Sequence, residues 1–121
     1  MKRGNWQLFL YLVFCVWLVT ACSPSSEEQK ITAGHTIYLN ECSHCHQPEG
    51  QGYAQVYPNL AGNPVVLLAD PVPTIDIVLH GRGSMPSFLH SLTGEERAQV
   101  ISYVRTAWGN HASTVTTGQV Q

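Results

Sequence analysis

A chain of 121 residues, 44% hydrophobic and 12% charged, suffices for one domain. Its net charge of −2 conceals an asymmetry: all eight acids follow residue 21, opposed there only by Lys30, Arg82, Arg97 and Arg105. An acidic chain with no basic face has no means of binding nucleic acid, and that class of function is set aside.

The first segment reads as a targeting signal. Lys2 and Arg3 precede an almost unbroken apolar run from Trp6 to Val19. The run is short for a membrane span, which needs about 20 residues, and suits an export signal. Val19-Thr20-Ala21-Cys22 follows and is similar to the lipobox of bacterial lipoproteins, which predicts a signal peptide over 1–21 and a lipid-bearing Cys22. Residues 22–30 are expected to form a polar tether. The alternatives are plain secretion to a soluble periplasmic form and an uncleaved anchor. The cysteine count agrees with lipidation: Cys15 leaves with the signal, Cys42 and Cys45 form one pair, and Cys22 is left over.

Next come helices joined by long loops, without convincing strands, so an all-α class is expected. Ser26-Glu27-Glu28-Gln29 has capping-box spacing and opens a helix to about Glu41, with Ile31, Gly34, Ile37 and Tyr38 at helical intervals. Cys42-Ser43-His44-Cys45-His46 follows immediately. Two thiols at i and i+3 and an adjacent imidazole are the attachment pattern of a c-type haem: each thiol adds to a vinyl group and His46 becomes the proximal iron ligand. A thioredoxin-like pair needs a βαβ context, and structural zinc needs two further ligands, so both alternatives fit poorly.

Pro48, Gly50 and Gly52 mark a loop. Asn63-Pro64 and Asp70-Pro71 read as N-cap followed by proline, predicting short helices over 64–68 and 71–80, with Gly81 and Gly83 ending the second. Thr93-Gly94-Glu95-Glu96 is a second capping box. It opens a helix whose apolar stripe is Val100, Ile101, Val104, Ala107 and Trp108, stopped by Gly109-Asn110. The expected domain is 31–110, followed by a disordered Ser/Thr/Gln-rich tail over 111–121.

The distal iron position decides between electron transfer and ligand chemistry. Once the signal is removed, Met85 is the single methionine, and it lies in the turn-rich stretch Gly83-Ser84-Met85-Pro86 rather than on a helical stripe. It is the favoured sixth ligand. His80 and His90, which flank it, are the competitors; His44 lies inside the attachment loop, directed away from the iron face that His46 uses, and His35 and His111 read as surface or tail residues. Arg82 is a candidate partner for a haem propionate. Tyr57, Asn59 and Trp108 are further candidates for the haem environment.

These residues resemble the class I cytochrome c family over roughly 30–110. Gly34 and Tyr38 fit its first-helix contact, and Val100 and Tyr103 the partner positions on the last helix. The resemblance implies a small all-α cytochrome c fold with crossed terminal helices around one covalent haem. Pro58-Asn59-Leu60-Ala61-Gly62 resembles the family loop in which the proline carbonyl accepts a hydrogen bond from the proximal histidine; Leu60 would pack on the haem. Leu60-Ala61-Gly62-Asn63-Pro64, Val78-Leu79-His80-Gly81 and Tyr103 to Asn110 look like the cytochrome domains of membrane-associated alcohol and aldehyde dehydrogenase complexes. The expectation is one-electron transfer, without catalysis of its own, between a dehydrogenase or respiratory donor and a terminal oxidase or other cytochrome. The expected setting is the periplasmic face of a bacterial membrane. The alternative is a haem enzyme or small-ligand sensor, peroxidase-like, with a labile distal ligand.

Overall fold

The structure is a computed structural model that describes residues 23–121 together with Trp6, Gln7 and Leu10. The expected signal peptide, Cys15 and the lipid-bearing Cys22 lie outside the described residues, apart from those three positions. The described elements are α1 (Ser26–Glu41), α2 (Ser43–His46), α3 (Val72–His80), α4 (Gly94–Thr106) and a 3₁₀ turn at Thr117–Gln119. Among the described residues no strand forms, in keeping with the all-α expectation, and no helix is long and apolar enough to cross a membrane.

The helix starts follow side-chain chemistry. At α1 the capping box lies one residue earlier than the sequence reading placed it: Ser25 Oγ accepts from Glu28 N–H, and the Glu28 carboxylate accepts from Ser25 N–H. Both spacings contain a serine and a Glu or Gln three residues on; the ionised Glu28 is the stronger acceptor for a helix N-terminus. The expected tether over 22–30 is therefore partly helix. The box at α4 is as expected, with Thr93 Oγ1 accepting from Glu96 N–H and Glu96 closing back on Thr93.

Two expected helices behave differently. Asn63 Oδ1 accepts from Val65 N–H at 2.9 Å, yet the segment closes only one turn, over 64–67, in place of a helix over 64–68. Asp70 Oδ1 accepts from Val72 N–H at 3.0 Å and α3 does propagate to His80. The short helix α2, which carries the Cys-x-x-Cys-His stretch, was not anticipated as an element.

The fold rests on α1 packed against α4. Gly34 lies at their closest approach: a Cβ there would meet the Gln99 carbonyl, lying 2.6 Å from its carbon and 2.9 Å from Tyr103 Cβ. Tyr103 thus contacts α1 as the resemblance implied, but its companion is the Gln99 backbone. Val100 faces the cavity described below. Around the crossing, Tyr38 packs edge-on against Trp108 with ring centroids 4.9 Å apart, and Tyr103 touches both rings. Such contacts add about 0.5–1.5 kcal/mol each beyond burial.

The tail is a correction. Residues 111–121 pack on the domain: Val115 and Val120 are fully buried, and Lys30 Nζ and Ser102 Oγ both donate to the Val115 carbonyl. The largest fully buried side chain is Arg105. It donates from Nε to Ser113 O at 2.7 Å, from Nη1 to Val66 O at 2.8 Å and from Nη2 to Leu68 O at 3.0 Å. Burial lowers its pKa, with nearby Asp70 opposing the shift. Composition alone makes the tail look unable to pack, but its carbonyls satisfy donors that the helices would otherwise bury without partners.

Two substitutions test this account. Gly34→Ala should destabilise the protein by about 1–3 kcal/mol in denaturant titration, because the obstructing atoms are backbone and cannot rotate away. Arg105→Met should cost roughly 2–4 kcal/mol, since several carbonyls lose their donor at about 1–3 kcal/mol apiece before relaxation. It should also expose residues 112–121 to limited proteolysis.

Candidate haem-binding site

At the C-terminal end of α1 the chain turns straight into α2, where Cys42 N–H donates to Tyr38 O at 2.9 Å and His46 N–H to Cys42 O at 3.0 Å. One helical turn separates the two cysteines and presents both on the wall of a single cavity. That cavity has a volume of about 420 Å³ and is lined by Cys42, Cys45, His46 and Met85 among mostly apolar side chains. Its size lies within the range of about 300–1,000 Å³ typical of ligand pockets.

His46 is 8% exposed, and its Nδ1 lies 2.9 Å from the Pro58 carbonyl oxygen. A carbonyl oxygen can only accept, so Nδ1 carries the proton and Nε2 is left with a lone pair, the form an imidazole needs to ligate a metal. Pro58 is held in turn by its loop: Leu60 and Ala61 N–H both donate to Gly50 O, and Tyr53 and Tyr57 exchange backbone hydrogen bonds at 2.8 and 2.9 Å.

Burial pushes the Cys42 thiol up to about 12, with Glu41 and then Cys45 adding to the effect. Tyr38, fully buried, donates its hydroxyl to Gln47 O at 2.6 Å, beside His46; burial raises its pKa above the ordinary phenol value. Among the described residues no three His, Cys, Asp or Glu side chains cluster as ligands for a bare metal ion.

Met85 arrives on a different segment. Arg82 and Met85 pair through two backbone hydrogen bonds, at 3.0 and 3.2 Å, in the loop after α3. Gly81 permits this with φ of 78°, and a Cβ there would press on the Met85 carbonyl and sit 2.9 Å from the Pro86 carbonyl carbon. Met85 is only partly exposed and lines the cavity, whereas His80 and His90 are exposed and do not. His80 instead pairs with Asp76 at 3.0 Å.

Of the other sequence candidates, Pro58, Leu60, Tyr57 and Arg82 line the cavity, Arg82 from an exposed position. Asn59 and Trp108 do not. Asn59 Nδ2 donates to Ala61 O within its own loop, and Trp108 is occupied by Tyr38 and Tyr103. The sequence reading missed the far walls: Val65 and Val66, Ile77 and Val78 of α3, and Phe88. Helical spacing had marked Val100, Ile101 and Val104 as apolar, but not that they would face a cavity.

Asn110, expected only to stop the last helix, was also missed in this role. It is 1% exposed; its Oδ1 accepts from Gly62 N–H at 2.9 Å, and its Nδ2 donates to Leu60 O at 3.1 Å and Val104 O at 2.8 Å. It clamps the Pro58–Gly62 loop to the last helix.

The site meets the requirements of a c-type haem: two thiols one turn apart, an imidazole with a free Nε2, a thioether on the same cavity, and apolar walls.

Comparison with known proteins points the same way. Residues 29–104 match the protein family described as cytochrome c oxidase, cbb3-type, subunit III. The cytochrome c subunit of alcohol dehydrogenase (quinone) from Gluconacetobacter polyoxogenes is 36% identical over 113 residues, covering 84% of this chain and 24% of that protein. The gluconate 2-dehydrogenase cytochrome c subunit of Pantoea cypripedii is 30% identical, over 71% of this chain and 22% of its own length. Cytochrome c-552 of Thermus thermophilus is 35% identical, over 64% of this chain and 69% of its own length. The chain thus spans about a quarter of the length of the dehydrogenase subunits it matches.

Proposed function

Because this chain belongs to the family of cytochrome c domains described as cbb3-type cytochrome c oxidase subunit III, we propose that it is a monohaem electron carrier with His46 and Met85 as axial ligands. When bound, a haem c iron supplies a one-electron couple between ferric and ferrous states. Cys42 and Cys45 hold the group covalently. His46 presents Nε2 and is fixed in orientation by the Pro58 carbonyl. Met85 brings a neutral thioether, and the apolar walls of Val66, Val78, Ile101 and Val104 exclude water. Neutral ligands and apolar walls both favour the less charged, ferrous form and so raise the potential. Arg82, the one Lys or Arg among the cavity-lining residues, would neutralise a porphyrin carboxylate.

The observation that carries this reading is that His46, oriented by Pro58, and Met85 line one apolar cavity. A second reading as a peroxidase-like enzyme or ligand sensor needs an open distal position, and Met85 on the cavity wall speaks against it. The dehydrogenase cytochrome subunits among the relatives support a dehydrogenase as electron donor, with an oxidase or another cytochrome as acceptor. We further infer that the domain works on the periplasmic side, tethered by lipid on Cys22, where confinement to a surface raises its effective concentration near membrane-bound partners.

The visible spectrum of the purified holoprotein should be low-spin in both redox states, with the weak long-wavelength band of a ferric iron–thioether bond. Met85→Ala should abolish that band, lower the midpoint potential and open the iron to carbon monoxide. An unchanged spectrum and potential would remove Met85 from the ligand set. Cys22→Ser should abolish incorporation of labelled fatty acid into the protein; undiminished labelling of the variant, or no labelling of the unaltered protein, would overturn the lipid tether.

A further inference from the structure

Charge is distributed very unevenly around the cavity. Of the residues that line it, only Glu41 and Arg82 belong to the acidic and basic types, and they are opposite in sign. Neither the stretch from Gln51 to Ala69 nor that from Gly83 to Gly94 contains an Asp, Glu, Lys or Arg. The other acids do not line the cavity: Glu27 and Glu28 lie in the first turn of α1, Glu95 and Glu96 in the first turn of α4, and Glu49, Asp70 and Asp76 in the loop after α2, before α3 and on α3.

The neutral rim also carries exposed apolar side chains. Val56 lines the cavity and is nonetheless 60% exposed, and Tyr53 on the same turn is 64% exposed. The turn is closed by its own backbone bonds: Tyr53 and Tyr57 bond reciprocally, and Val56 N–H donates to Tyr53 O at 2.9 Å. Two apolar groups held out on a pinned turn lose little freedom on contact with another protein, which makes their burial efficient for binding.

We propose that the 53–57 turn is the docking lip for a redox protein whose own contact patch is apolar and without net charge. This deepens the electron-carrier reading and rests on it. A partner recognised by basic groups would find its complement on acids that do not line the cavity, such as those in the first turns of α1 and α4. The lip itself offers a charged partner no side-chain charge to meet: its contact is Val56, Tyr53 and uncharged loop. Docking there proceeds by apolar burial, which salt does not screen.

Electron self-exchange between ferric and ferrous holoprotein, read from NMR line broadening, provides a partner of this chemistry, since each copy offers the same lip. Two acidic copies repel at about 10 mM salt, where the screening length is about 30 Å, so the second-order rate constant should rise toward about 1 M salt, where that length is about 3 Å, and should not fall. Val56→Glu should slow exchange about ten-fold at low salt by setting like charges face to face, with salt restoring most of the loss. Glu27→Gln, in the first turn of α1 and not on the cavity, should leave the rate at about 1 M salt unchanged. A rate that falls steeply with added salt in the unaltered protein, or full-speed exchange in Val56→Glu, overturns the lip while leaving the carrier intact. A holoprotein that exchanges no electrons at any salt overturns the carrier reading and the lip with it. Val56 is mostly solvent-exposed, so the variant should fold, which an unchanged absorption spectrum verifies.

Discussion

The constraint on which the rest depends is the missing side chain at Gly34. Without a Cβ, α1 lies directly against the backbone of α4 at Gln99 and Tyr103. That contact sets the position of α1 against α4, and the Cys-x-x-Cys-His stretch begins at the residue after α1 ends. It also fixes which face of α4 is left over. With Tyr103 turned toward α1, Val100, Ile101 and Val104 fall on the side that walls the cavity. One close approach thus sets two walls of the site, one covalent and polarisable, the other apolar.

The remaining walls are loops, and loops need their backbone groups satisfied. The molecule meets this need with a few buried polar side chains. Asn110 joins Leu60, Gly62 and Val104 at one point, holding the loop that supplies Pro58 to the helix that supplies the apolar wall. Arg97 donates to the carbonyls of Leu89 and Leu92 and so fastens the segment after Phe88. Arg105 does the same for Val66 and Leu68. None of these is an ion pair. A guanidinium aimed at carbonyls keeps its directional bonds without burying a second charge beside it, and so avoids the desolvation cost of burying two ions.

Legibility followed the range of the interaction. Capping boxes, the cysteine spacing and the one methionine beyond residue 1 are signals contained within a few residues, and the corresponding helices, cysteine-bearing wall and Met85 loop appear where the sequence placed them. The box at α1 shifted by one residue because Ser25 and Ser26 offer equivalent hydroxyls, and only the identity of the residue three positions on separates them. What the sequence concealed is long-range. Lys30 and Val115 are 85 positions apart, and Arg105 reaches back 39 to Val66. A Ser/Thr/Gln-rich tail is legible as unable to form its own core, yet nothing local reveals that it completes someone else's. Asn110 misleads for the same reason, reading as a helix stop from its neighbours while its partners lie 48 and 50 residues upstream.

The long-range bonds also connect the tail to the site. Arg105 holds Ser113 with Nε and the Val66 carbonyl with Nη1, and Val66 is a cavity wall. Ser102, one turn earlier on α4, bonds Val115 in both directions through its hydroxyl. The tail therefore packs on one side of α4 while the cavity opens on the other, and the same helix transmits order between them. If the tail frayed, Ser113 and Val115 would leave, and Arg105 would be exposed to water as a competing acceptor for the donors that now hold Val66 and Leu68. A cavity whose dryness sets the balance between ferric and ferrous forms cannot tolerate a loosely held wall, and the packed tail keeps that wall held.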